Sequence, residues 1–234
     1  MHRFSHEQVE LNYELTLEKR KTIAVTVRPD QSISVKAPLQ ATDDKITDFL
    51  RRKLRWILKQ KHYFSTFKTV AAKEYVSGES LRYLGRSYKL LVRKAEDAER
   101  VSLQHGTLTI ESFFPRTRLY TKKLLDAWLI EKAKEHFAER LATCVQQVGL
   151  KESPDLTIRL MKSRWGSYSR KTHRVCLNLK LIHASKRQID YVITHELCHI
   201  EHLAHDKAFY RLLSSRLPDW KQIKTNLEHS LLSA

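Results

Sequence analysis

The chain has 234 residues, 41% of them hydrophobic, enough to bury at least one full core without leaning on disulfides. Its three cysteines, Cys144, Cys176 and Cys198, contain no C-x-x-C pair, which argues against a cysteine zinc knuckle or a disulfide framework and fits a reducing cytoplasm. With 43 Lys and Arg against 26 Asp and Glu the formal net charge is +17, a field that attracts polyanions.

Met1 to Glu10 is polar where a secretory leader needs an apolar run, and no stretch reaches the roughly 18 uninterrupted apolar residues of a membrane span. The expectation is a soluble, cytoplasmic chain with no membrane partner. Residues 11–37 alternate at period two (Ile23, Val25, Val27, then Ile33, Val35) around the turn chemistry of Arg28-Pro29-Asp30-Gln31, which predicts a short antiparallel meander. From Thr42 the spacing turns helical (Ile46, Phe49, Leu50, Leu54, Ile57, Leu58), with Thr42 as N-cap and Asp43 and Asp44 in the first turn. Arg51, Arg52, Arg55 and Lys59 fall on its outward face. They belong to the first of two acid-free basic runs, eight Lys or Arg between Asp48 and Glu74 and nine between Asp155 and Asp190.

Two hairpins follow, Leu81 to Leu84 with Tyr88 to Val92 across Gly85-Arg86, and Val101 to Leu103 with Leu108 to Ile110 across His105-Gly106. After Pro115 comes a long amphipathic helix, Lys122 to Val148, closed by Gly149. The change of pattern divides the chain into a β-rich N-terminal domain with one basic helix (1–115) and a C-terminal domain (116–234). The N-terminal part, His62 and His105 included, is expected to give no metal ligand. No internal repeat or low-complexity segment is visible.

The C-terminal part reads as a strand at Leu156 to Met161, a turn-like Trp165-Gly166-Ser167 and a strand at Val175 to Ile182. A capping box, Ser185-x-x-Gln188, then opens a helix expected to run at least to Leu203, with Ile189, Val192, Ile193, Leu197 and Ile200 as its buried face. Inside it stands His195-Glu196-Leu197-Cys198-His199. Residues four apart share a helix face, so both imidazoles can meet one ion. Glu196 is turned about 100° from His195 and can act on a water at the metal without being a ligand, as a general base must. A random chain of this length shows H-E-x-x-H with a probability of roughly 3%, and the setting behind a capping box lowers the chance reading further.

A catalytic zinc needs a third protein ligand, for which the candidates are His202 and His205. His202 lies about 10.5 Å along the helix axis from His195, against about 3 Å for the ion, so it fits only if the helix bends. His205 could be returned by a chain turn at the helix end. His202 occupies the position where metzincins carry Gly, and Met1 and Met161 supply no Met-turn, which argues against that class. Cys198 points off the metal face and reads as core.

The segment Ser163-Arg164-Trp165-Gly166-Ser167, Leu177-Asn178, Ile189 to His199, His205, Phe209 and Pro218-Asp219-Trp220 resembles the YgjP-like family of H-E-x-x-H metal-dependent hydrolases, relatives of the SprT and WLM zincins. Tyr83-Leu84-Gly85 resembles the family's N-terminal portion. The resemblance implies an α+β fold with a zincin-like C-terminal domain, one Zn2+ per chain on His195, His199 and His205, and Glu196 as base; imidazole ligands also suit another divalent transition metal such as Fe, Ni or Cu. Tyr168 departs from the Cys that members often carry, and Ala184-Ser185 from a usual Pro.

Three functions remain open at this level. The first is a metallopeptidase in which Val175 to Ile182 forms an edge strand that pairs with an extended peptide. The second is a nucleotide pyrophosphohydrolase, an activity assigned to one family member with UTP, in which Lys162, Arg164, Arg170 and Lys171 grip phosphates. The third is a nucleic-acid-associated module with a structural metal, which would have no need of Glu196. The candidate substrate-binding residues are Arg164, Trp165, Lys171 and Asn178. If the second basic run lines the approach to the metal, an anionic substrate or a protein held on nucleic acid is favoured.

Overall fold

The computed structural model describes residues 2–6, 9–28, 30–65, 73–162 and 164–232, in two compact units, Met1–Val70 and Ala71–Leu232. The first unit holds β1 (His2–His6), β2 (Val9–Glu18), β3 (Ala24–Val27), β4 (Ile33–Pro38) and α1 (Asp43–Ser65). Alternation puts Leu11, Tyr13, Val27, Ile33, Val35 and Ala37 on one face of the sheet, where Ile46, Leu50 and Ile57 of α1 close over them. The sheet order is β1-β2-β4-β3, and its central pair, Glu14 to Glu18 against Ser34 to Pro38, is parallel. The expected antiparallel meander is thereby corrected. Period-two alternation says which face is buried but not which strand is the neighbour, and β3 takes the outer edge while β4 returns to the middle.

The second unit opens with β5 (Ser80–Tyr83), β6 (Arg86–Lys94), β7 (Arg100–Gln104), β8 (Thr107–Ser112) and α2 (Arg118–Val148). Its sheet order, β5-β6-β8-β7, is again antiparallel, parallel, antiparallel, with a long helix after the fourth strand. The same topology therefore occurs twice in a chain whose sequence shows no repeat. The two expected hairpins are present, and the parallel join of β6 to β8 makes them one sheet.

The rest of this unit is β9 (Asp155–Arg159), β10 (Gly166–Ser169), β11 (Arg174–Asn178), a 3-10 turn at Leu179–His183, α3 (Lys186–Cys198), α4 (Lys207–Arg216) and α5 (Trp220–Leu232). The three strands are ordered β10-β11-β9. Three expectations change here. The strand that opens at Arg174 stops at Asn178, whose side chain caps the 3-10 turn by accepting from the Lys180 N–H. Gly166 and Ser167 lie in β10 rather than in a turn. β11 is the middle strand, so among the described residues β10 is the open edge on that side.

Leu125, Leu129, Ala133, Phe137 and Leu141 form a stripe at four-residue spacing on α2 and share one core with Leu81, Tyr83, Leu90, Leu108 and Ile110 of the preceding sheet and with Ile189, Val192 and Ile193 of α3. Full burial of each large side chain is worth about 1.5–3 kcal/mol. The pattern change near Pro115 precedes the start of a helix, and the compact units divide between Val70 and Ala71. Arg140 adds a two-pronged ion pair from α2 to Asp190 of α3, at 2.6 and 2.7 Å.

The tip of the β5–β6 hairpin braces the entrance of α3. The Leu84 N–H donates to the Ile182 carbonyl at 2.9 Å, and Gly85, at φ +80°, lies so close that a Cβ there would meet Ser185 Cα at 2.8 Å. Only glycine satisfies both demands.

Candidate metal centre

The capping box at Ser185 and Gln188 is formed, and α3 runs through Cys198. It ends there rather than at Leu203, with His199 as C-cap and a turn following. That early end returns the chain to the helix. Asp206 caps α4 by accepting from the Phe209 N–H at 2.9 Å, which fixes His205 just outside the new helix. Phe209, fully buried, lies under all three imidazoles with ring centroids 4.7–4.9 Å away.

Ligand atoms of His195, His199 and His205 lie within 4.8 Å of one another, and among the described residues these three are the group able to hold an ion. His62 and His105 are not part of it. The Nε2 atoms of His195 and His205 face each other at 2.9 Å. His199 donates Nδ1–H to the His202 carbonyl at 3.0 Å, which leaves its Nε2 lone pair free. The His202 side chain is not in the group; its backbone carbonyl orients the His199 ring instead. His195 Nδ1 is buried without a hydrogen-bond partner, so its ring is held by packing against Tyr191 and Phe209.

Burial pushes His195 down to about 4, with His199 and His205 adding to the effect. His205 is also lowered, chiefly by burial. Two inward-facing nitrogens that resist protonation are the state a metal ligand requires. Three convergent imidazoles suit zinc, and the donor set fits one such ion.

Glu196 is buried beside this cluster and pushed up to about 8 by that burial, against the pull of the Arg164 charge and the Tyr168 backbone N–H. The edge strand lies directly on it, since a Cβ on Gly166 would come within 2.7 Å of Glu196 Oε1 and 2.9 Å of Val192 Cγ1. A cavity of about 450 Å³ opens here, lined by Arg164 to Tyr168, Tyr191, Val192, Leu203, the three histidines and Glu196.

Of the candidate substrate residues, Arg164 and Trp165 line this cavity. Lys171, like Arg170, sits in the exposed turn between β10 and β11, and neither it nor Lys162 reaches the lining. Asn178 is buried and stands behind the loop before β10, donating to the Met161 and Arg164 carbonyls at 2.9 and 2.8 Å. Tyr191, Leu203 and the close approach of Gly166 escaped sequence reasoning. The only signal for Tyr191 is its place one turn before His195. Cys198 is fully buried, in contact with Arg216 rather than with the cluster.

A family model described as "YgjP-like, metallopeptidase domain" matches residues 21–230. Comparison with curated proteins gives no match. Among solved structures the chain is similar to the metallopeptidase zymogen jannalysin of Methanocaldococcus jannaschii, at 23% identity over 38% of this chain and 85% of that one, TM-score 0.35. It is likewise similar to the metallopeptidase zymogen abylysin of Pyrococcus abyssi, at 20% identity over 39% and 91%, TM-score 0.37. Among the described residues no helix is long and apolar enough to cross a membrane.

Proposed function

The chain belongs to the YgjP-like family of metallopeptidase domains, and from that premise we propose that it is a zinc-dependent peptidase with a zincin-like site, held by His195, His199 and His205 and served by Glu196 as general base. The observation that carries this reading is the placement of one buried carboxylate, Glu196, between a three-imidazole cluster and an open strand edge. When bound, the ion polarises a carbonyl and makes water a stronger acid.

The chain's own groups supply the rest. An extended peptide adds to the free edge of β10, its backbone paired with Gly166 to Ser169 and its side chains entering the cavity between Trp165, Tyr168 and Tyr191. Glu196 takes a proton from the attacking water and hands it to the leaving amine. Its raised affinity for protons suits the second step as well as the first, and the positive charge of an ion nearby favours the carboxylate form at the start.

The nucleotide reading is weaker. Of its four cations only Arg164 lines the cavity, so a triphosphate would find one contact where several are needed.

The test is hydrolysis of a quenched-fluorescent peptide library by zinc-loaded protein. Glu196→Gln should keep one metal per chain while turnover falls by about 10² or more, and His205→Ala should lose the metal. Wild-type turnover by Glu196→Gln would refute the role of the base. Glu196-dependent cleavage of a nucleoside triphosphate, with every peptide intact, would replace the peptidase by a pyrophosphohydrolase.

A further inference from the structure

The catalytic reading leaves the basic helix of the first unit unused. α1 turns Ile46, Leu50 and Ile57 into its own core. The 100° step per residue then puts Lys45, Arg51, Arg52, Arg55, Trp56 and Lys59 on the opposite face, all exposed. Asp48 neutralises Arg51 at 3.2 Å, whereas Arg52, Lys53, Arg55 and Lys59 have no carboxylate partner among the described residues. Trp56 is 43% exposed in the midst of these cations and has no ring partner among the described residues. Arg52, Arg55 and Lys59 follow one another at about 4.5 and 6 Å along the axis, a line of charge that a flexible phosphate backbone can track.

We propose that this face of α1 binds single-stranded nucleic acid, with Arg52, Arg55 and Lys59 on the phosphates and Trp56 stacked on an unpaired base. Charge alone would suit any polyanion; the indole selects one with a flat face to offer. An anionic membrane suits the helix less well. A membrane-surface helix lays its apolar stripe into the lipid, but the apolar stripe of α1 is already in the core, and outside it only Trp56 and, on the other flank, Leu58 are exposed among the cations, too little to form a second stripe. This inference rests on the first unit and is independent of the peptidase reading.

The experiment is an anisotropy titration of a fluorescein-labelled 15-nucleotide oligothymidine with the full-length chain, between about 50 and 200 mM salt. Three phosphate contacts predict a slope of log K on log salt near about −2, at about 0.7 per contact. Arg52→Glu with Arg55→Glu should flatten that slope by about one or more. Trp56→Ala should weaken binding about 5- to 150-fold and leave the slope alone. Arg86→Glu with Lys89→Glu, the same charge change on exposed positions of β6, should leave affinity within about twofold. Unchanged thermal unfolding shows that each variant is folded, and peptide hydrolysis should be the same in all of them. Equal losses from both double variants would reduce the effect to overall charge and overturn the site. So would equally tight binding of a duplex with Trp56→Ala silent, or binding of phosphatidylserine vesicles without binding of the oligonucleotide.

Discussion

Burial moves Glu196 up to about 8 and its neighbour His195 down to about 4, because a poorly polar surround disfavours an anion and a cation alike. The two shifts give the metal-stripped protein opposite pH slopes. The raised Glu196 lends stability that is complete below its ordinary 4.5 and is lost as pH climbs through about 8. The lowered His195 lends stability that is complete above its ordinary 6.5 and is lost as pH falls through about 4. Between 4.5 and 6.5 the slopes oppose, and above 6.5 that of Glu196 stands alone. Metal-stripped wild type is therefore expected to lose about 2 kcal/mol of unfolding free energy from pH 6.5 to 8, one and a half units at about 1.4 kcal/mol each. Urea titrations in the presence of chelator measure it. Glu196→Gln should be flat over the same range, and a wild type as flat as the variant would remove Glu196 as the source.

At the scale of elements, the site is an edge strand pressed on a helix. Gly166 has no positive φ to explain it; its reason is contact, with Glu196 Oε1 and Val192 Cγ1 both nearer than a Cβ tolerates. Gly166→Ala must then shift β10 or turn the Glu196 side chain aside, and a misplacement of about 1 Å can cost 10²-fold in rate. The expected result is a kcat lowered by about tenfold or more with zinc content unchanged, read by steady-state kinetics and elemental analysis. Gly78→Ala, strained by its φ of +98° but with nothing within 4 Å of the added Cβ, is the control for general destabilisation by loss of a glycine. Full kcat in Gly166→Ala would mean that the strand yields freely and does not position the base.

For the whole molecule, the core of the second unit is closed within that unit: Leu81, Tyr83, Leu90, Leu108 and Ile110 cover α2 from one side and the α3 residues from another. A fragment from Lys73 to the C-terminus should fold, hold zinc and cleave peptide, whereas one from residue 116 should be insoluble or unfolded because half the cover of Leu125, Leu129 and Phe137 is gone. Circular dichroism and metal content of the two fragments decide it, and a folded 116–234 fragment would place the boundary at Pro115. What the sequence determined by itself is local. The four-residue spacing of His195 and His199, the one-residue offset of Glu196, the Ser185–Gln188 box, the α1 and α2 stripes and the Gly149 stop all depend on neighbours within a turn or two of helix, where geometry is fixed by the backbone alone. The tertiary structure decided the rest: the parallel pairings and the doubled sheet topology, β10 rather than β11 as the free edge, the return of His205, and the entry of Arg164 but not Lys171 or Asn178 into the cavity. A periodic pattern carries the face that is buried and the length of the element, but which distant segment covers that face is settled by the packing of the whole core, and no residue spacing records it.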